Sequence, residues 1–380
     1  MEQTKTTAQR ASFITLLSVA SVLFGWHAGG GFATGNQANQ FYVVSGWLGP
    51  ISAVLAIVLL TLTVRQAMIM YNLNGLSTYK ELFEYLYHPL DKLELVFEIY
   101  FYIMVLMATS ASIAGAGTLF ESTGLMSQQA AVVLVSVLLL VLTMFGAGLV
   151  RKVSTIMSVL ILICALSIFI MGILHKAPEI RAVYTGDLSL DQLGGSVLRA
   201  FQYAGFQCAA IPTMINCGAI LSHHKECRRA MWISCVMNAL ALCLSVFVLL
   251  GWQSVYTAID GGTTIPTLTI CKEMGVPVLV WAYYICLLLC FLSTGVTSVF
   301  GFVSRFEKSG LFMRIANANV RRGVLAVAVM GISMLVSFAG LTNIIKYGYG
   351  YCGYVGIAII VVPFLTVGVY KNRKKIRSQT

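Results

Sequence analysis

Residues 25–41 read GWHAGGGFATGNQANQF, inside an apolar run that extends over 11–44. The fold turns on whether this stretch is one helix. Each glycine inside a helix costs on the order of 1 kcal/mol relative to alanine. Gly29, Gly30 and Gly31 are consecutive, with Gly25 and Gly35 close by, which argues against a single regular helix. The same residues also form small-xxx-small pairs (Gly25 and Gly29, Gly31 and Gly35) that let helix backbones approach. The polar residues that follow, Thr34, Asn36, Gln37, Asn39 and Gln40, favour a break that lines a cavity. Irregular backbone at membrane depth is tolerated where protein or water satisfies it. Such a break offers N–H groups suited to an anionic group and carbonyls suited to a cation.

The surroundings of this stretch set the class. The chain has 380 residues, 58% hydrophobic and 10% charged, with a mean hydropathy of +0.85. A soluble domain averages about 25% charged residues, so a chain this poor in charge could not cover a soluble surface. Apolar runs of roughly 20 residues recur along it, each long enough to cross ~30 Å of hydrocarbon. Backbone in lipid must satisfy itself as helix or closed barrel. The ten-residue alternating segments of a barrel are absent, which leaves an all-α membrane protein. The net charge of +11 reads as topology-setting loops rather than a nucleic-acid surface. Most of the ten cysteines, Cys164, Cys243, Cys286 and Cys290 among them, fall in apolar spans. They read as small hydrophobes, with no CxxC metal spacing and no disulfide framework. Lys5 and Arg10 before an apolar run loosely mimic a signal peptide, but a small-residue cleavage site is lacking. The run is read as a retained first span.

Ten spans are expected, near 11–44, 47–72, 94–120, 128–147, 153–174, 195–221, 230–255, 277–304, 322–341 and 344–370. Residues 75–92 are too charged to span and read as an amphipathic cytoplasmic connection. Placing the N-terminus inside puts 20 of the 25 Lys and Arg residues on one side. Lys176, Arg181, Arg199, Lys272 and Lys346 fall on the other. The positive-inside rule then makes both termini cytoplasmic, in a multi-pass protein of the cell membrane. Residues 1–380 read as a single transmembrane domain that ends in a basic cytoplasmic tail, 371–380.

Inverted-repeat transporters pair a broken helix with a second one five spans later. The sixth span, 196–218, reads SVLRAFQYAGFQCAAIPTMINCG. Gln202, Tyr203, Gly205 and Gln207 cluster at its middle, and Pro212 follows, where a missing N–H can kink a helix. This predicts a 5+5 inverted repeat, 11–174 and 195–370, with helices 1 and 6 broken.

GGGFATG followed by a polar stretch and QFY resembles the glycine signature that opens the YkvI-like bacterial membrane proteins. QAMIMYNLNGLSTYKELFEYLY (66–87) and MVLMATSASIAGAGTLFE (104–121) resemble that family's second and third helices and the connection between them. The likeness is specific in the first third of the chain and looser after it. The family is similar to the amino acid–polyamine–cation superfamily, which has the LeuT fold. The resemblance implies that the N–H groups of Gly29, Gly30 and Gly31 face a substrate carboxylate. It implies that the carbonyls of Gly25 and Ala28, with Ser293 and Thr294 on helix eight, form a sodium site. Ser and Thr in membrane helices also bond their own backbone, which is the plainer reading of that pair. Two departures stand out. An acidic residue usual after the glycine motif is replaced by Gly35-Asn36-Gln37, and His27 stands where the family is aliphatic.

An ionisable group at membrane depth is a functional candidate, and His27, with an unperturbed pKa of about 6.5, can exchange protons or contact substrate. The alternative is a neutral imidazole bonded to a freed carbonyl. Glu98 and Arg65 sit near span ends, where pairing or snorkelling suffices. His223 and His224 read as a solvated loop. Tyr347, Tyr349, Tyr351 and Tyr354 read equally as a gate or an interfacial belt. The expected function is a secondary active transporter of an amino acid or related small solute, a symporter driven by sodium or protons. A ligand sensor on the same fold is the alternative. An enzyme is not expected, because no catalytic constellation is apparent, and no Walker motif signals ATP use. No cofactor beyond a sodium ion and no nucleic-acid partner is expected; the bilayer and a small-molecule substrate are the partners, and oligomeric state is not legible.

Overall fold

The computed structural model describes residues 11–186, 188–221, 223–306 and 312–378, which are helical almost throughout with no strand among them. Lys5, Arg10, Lys308 and the last two residues of the basic tail lie outside the described residues, as do the side chains of Arg151 and Lys152.

α1 (Phe13–His27) opens at Ser12, whose hydroxyl accepts the Thr15 N–H at 3.2 Å. It is followed by two short pieces, α2 (Gly30–Ala33) and α3 (Asn36–Phe41). A tight turn over Val43–Leu48 leads into α4 (Gly49–Leu73). Pro50 lies in its first turn, where a missing N–H removes no helical bond. α5 (Tyr79–Tyr87) is the expected amphipathic connection; it is capped by Thr78 and buries Leu82, Phe83 and Leu86. α6 (Glu94–Glu121) and α7 (Gln128–Val141) follow. Then come α8 (Ala147–His175), α9 (Ala177–Thr185), α10 (Leu193–Gln207), α11 (Ile211–Gly218) and α12 (His224–Ala258). α13 (Pro266–Glu273), α14 (Pro277–Phe306), α15 (Ala318–Ser337) and α16 (Leu341–Arg377) complete the chain.

Six of the expected spans are helices long and apolar enough to cross a membrane: α4 with its leading turn, α6, α12, α14, α15 and α16. The end of α8 and α9 form a further pair bent by 70°. The remaining expected spans fall on the shorter apolar helices α1 and α7 and on α10 with α11. The chain is therefore a multi-pass, all-helical membrane protein. α12 packs along α4, α1 and α8, and α14 along α6 and α8, so the interior lies among α1, α4, α6, α8, α12 and α14.

Two local expectations change. The loop expected at Arg151 and Lys152 is helical backbone, and α7 passes into α8 through a π turn at Leu142–Gly146. In the sixth span, α10 passes into α11 through a 3-10 turn at Cys208–Ala210. Gln207, Cys208, Ala210 and Ile211 all keep right-handed helical dihedrals. Pro212 sits in the first turn of α11, a position that proline tolerates. Gly205 serves close packing. A Cβ there would lie 2.2 Å from the Gly353 carbonyl oxygen, and one on Gly356 would lie 2.2 Å from the Gly205 oxygen. α10 and α16 therefore meet backbone to backbone, as small residues permit in membranes.

Candidate functional site

α1 stops at His27. The Ala28 N–H still reaches Phe24 O at 2.8 Å, but Ala28 has ψ 27° and Gly29 is extended at φ −68°, ψ −176°. Helix resumes at Gly30. The first N–H groups of α2 have no carbonyl one turn back within the element. A second interruption falls at Gly35, with φ +79°, a conformation that favours glycine. A Cβ there would also lie 2.4 Å from Thr267 Oγ1.

The break is packed from both sides. A Cβ on Gly30 would lie 2.7 Å from the Phe291 ring, and one on Gly115 would lie 2.4 Å from it. Phe291 of α14 thus fills the space between α2 and α6, and it is buried. A Cβ on Gly31 would meet the Gln37 amide at 2.3 Å, so this glycine makes room for the side chain that folds back from α3.

Around the end of α1 lies a polar chain. His27 is 1% exposed, and its Nε2 is 2.8 Å from Tyr203 Oη. The Tyr203 hydroxyl donates to Gln37 Oε1 at 3.1 Å. With that proton committed, His27 Nε2–H is the donor in the first bond. His27 adjoins Asn238 of α12. His27 Nδ1 and Asn238 Oδ1 are both buried without a hydrogen-bond partner. The Asn238 amide nitrogen donates to Ser234 O at 2.8 Å and to Ser234 Oγ at 3.1 Å. Phe32 faces the imidazole at 5.1 Å, and Phe41, Tyr42 and Phe206 surround the Tyr203 ring.

The expected site residues therefore divide. Gly29 and Gly31, both half-buried, and Gly30, buried, adjoin the buried His27 and Tyr203, and Gln207, also buried, neighbours Tyr203. Gln202 points elsewhere, donating to Gly350 O of α16 at 2.9 Å. Of the expected sodium ligands, Ala28 and Thr294 lie by the break. Ala28 O is 4.0 Å from Cys290 Sγ, and Thr294 Oγ1 is 3.7 Å from where a Gly29 Cβ would be. Gly25 is exposed, with nothing within 4 Å of a Cβ built on it. Ser293 follows Cys290 on α14. A thiol thus lies beside the Ala28 carbonyl, and Gly25 is exposed. Among the described residues no group of three or more His, Cys, Asp or Glu side chains could hold a metal ion.

Several contacts of the site carry no signal in the sequence. Tyr283 of α14 donates its hydroxyl to Ala33 O, and the Thr267 N–H donates to Thr34 O at 3.1 Å. The Asn36 amide donates to Thr264 O and Thr342 Oγ1, both at 2.9 Å, and to Thr263 O at 3.3 Å. These bonds strap α2 and α3 beneath the loop before α13 and the start of α16. At another point in the bundle, Glu98 of α6 pairs with Arg305 of α14. Tyr79 of α5 donates to the same carboxylate at 3.2 Å, and its ring lies 4.8 Å under the guanidinium. The pairing expected for Glu98 is present. Each strap relies on partners more than 200 residues apart, a separation that local pattern cannot reveal.

An interrupted first helix inside an all-helical multi-pass bundle is consistent with a membrane protein of the LeuT fold. Solved structures agree. MhsT in complex with L-phenylalanine superposes with a TM-score of 0.63 at 14% identity, covering 94% of this chain and 89% of MhsT. The Eremococcus coleocola manganese transporter, in complex with an aromatic bis-isothiourea substituted compound, gives 0.57 at 18% identity, covering 92% and 78%. At these identities the likeness is one of fold. No family model and no curated protein matches the chain.

Proposed function

We propose that the chain is a secondary active transporter of an amino acid or a related small organic solute, and that it is of the YkvI-like kind. It works by alternating access around the α1–α2 break, with N- and C-termini cytoplasmic in the cell membrane. The observation that carries this reading is the interruption at Ala28–Gly29, in a fold shared with transporters. One of those, MhsT, is described with a bound amino acid. In this reading the N–H groups of Gly29, Gly30 and Gly31 take the solute's carboxylate. Tyr203 and Gln207 line the same region, and residues 11–174 and 195–370 are the two inverted halves.

The coupling ion is a proton. His27 Nδ1 is a buried atom with no hydrogen-bond partner that can take a second proton, and Asn238, which adjoins His27, holds a buried unpartnered Oδ1 that could accept it. The thiol of Cys290 beside the Ala28 carbonyl, at 4.0 Å, supports sodium less well. The test is uptake of radiolabelled amino acids into proteoliposomes under an imposed pH gradient or sodium gradient. Accumulation driven by the pH gradient, and lost in His27→Gln with binding retained, is expected. Accumulation that follows sodium and ignores pH refutes the proton assignment. Saturable binding without accumulation under either gradient refutes transport and leaves a sensor.

A further inference from the structure

A groove of about 660 Å³ opens between the start of α1 and the first turns of α12. Its floor is apolar, from Leu16, Ile233 and the exposed Phe13 and Trp232, and its rim carries Arg228 and Arg229. Neither arginine has an ion pair among the described residues, and both are exposed. The positive charge is reinforced from behind. Arg65 of α4 lies within electrostatic reach of Arg228, and its Nε is buried without a hydrogen-bond partner. His223, Lys225 and Arg228 also surround His224 at the start of α12. The nearby acid, Glu226, is turned inward; its oxygens accept the Ala11 N–H at 2.8 Å and the His223 N–H at 3.3 Å.

We propose that this groove binds an anionic phospholipid. The phosphate sits between Arg228 and Arg229, and an acyl chain lies over Phe13, Leu16, Trp232 and Ile233. An exposed arginine pair beside an exposed indole, at the end of two membrane helices, matches a charged headgroup joined to an apolar tail. The chain's own first ten residues fit less well. They carry Glu2 against Lys5 and Arg10, a net positive charge that does not complement a positive rim.

The test uses the full-length protein, stripped of lipid in neutral detergent and read by native mass spectrometry against phosphatidylglycerol, phosphatidylcholine and inorganic phosphate. Phosphatidylglycerol is expected to bind about tenfold more tightly than phosphatidylcholine, the preference two interfacial arginines can supply. R228Q/R229Q should lose the preference while keeping the wild-type melting temperature, and R228K/R229K should keep most of it. W232A should weaken both lipids alike. An undiminished preference in R228Q/R229Q overturns the site, and an unchanged W232A overturns the placement of the acyl chain. Displacement of phosphatidylglycerol by millimolar inorganic phosphate shows a free-anion site and overturns the lipid. Tighter lipid binding after deletion of residues 2–10 overturns it in favour of the chain's own N-terminal segment as occupant.

Discussion

The first and sixth spans carry similar punctuation and use it differently. In the first, Gly35 supplies backbone geometry through its left-handed conformation, while Gly30 and Gly31 make room for Phe291 and Gln37. In the sixth, Gly205 stays helical and supplies space, bringing α10 against Gly353 and Gly356 of α16. A glycine in a membrane helix can therefore mark either a discontinuity or a close approach. A cluster of polar neighbours does not separate the two. Tyr203 belongs to the network at the break, whereas Gln202, one residue away, bonds the backbone of α16.

Substitutions can break this comparison, and the largest effect should come from Gly205→Leu. Its Cβ would meet backbone, which cannot rotate aside, so α10 and α16 must separate. Overpacking costs about 1–3 kcal/mol or more, and a large fall in thermal-shift midpoint with loss of monodispersity is expected. A wild-type midpoint would mean that α10 and α16 are not in backbone contact. Gly35→Ala comes next. A left-handed non-glycine residue and a crowded Thr267 together cost roughly 2 kcal/mol. Gly35→Ala should be partly rescued by Thr267→Ala, whereas Gly205→Leu should gain nothing from that change. Equal responses of the two variants would erase the distinction between geometry and space.

Tyr203→Phe is expected to have a smaller effect on stability and a larger one on activity. It removes the hydroxyl shared by His27 and Gln37 and leaves both without that partner, at about 1–3 kcal/mol. Uptake should fall at least tenfold, with the protein still folded by circular dichroism. Uptake within twofold of wild type would detach the sixth span from the site. Gly25→Ala should do least. Its Cβ would meet nothing within 4 Å, so the midpoint and uptake should match wild type. A strong loss of uptake there, dependent on sodium, would restore Gly25 to a cation site.

The all-helical membrane class was legible from composition and from the recurrence of apolar runs, because lipid leaves a chain few ways to satisfy its backbone. The first interruption was legible because three adjacent glycines exceed what packing alone requires. Helical continuity through Cys208–Ala210 was not, since proline in a first turn and proline at a kink read alike. Phe291, Thr267 and Tyr283 were not legible either, nor were the partners of Asn36. Each is an ordinary residue in its own helix or loop, and its role exists only once a distant segment is brought against it. His27 was visible as an anomaly and Tyr203 as part of the sixth-span cluster, while the bond between them, and Asn238, had to be found in space.

If the break is the solute site proposed above, the ring of Phe291, lodged between Gly30 and Gly115, would be a tethered competitor for whatever enters it. A solute that needs that volume binds only the fraction of molecules in which the ring has swung away, and its apparent Kd is raised by that fraction. Weak affinity would then be a property of a resident occupant rather than of poor contacts. Phe291→Ala should tighten binding of bulky solutes while leaving the smallest, such as glycine, nearly unchanged in calorimetric titration. Equal tightening for solutes of every size would assign the ring to packing alone.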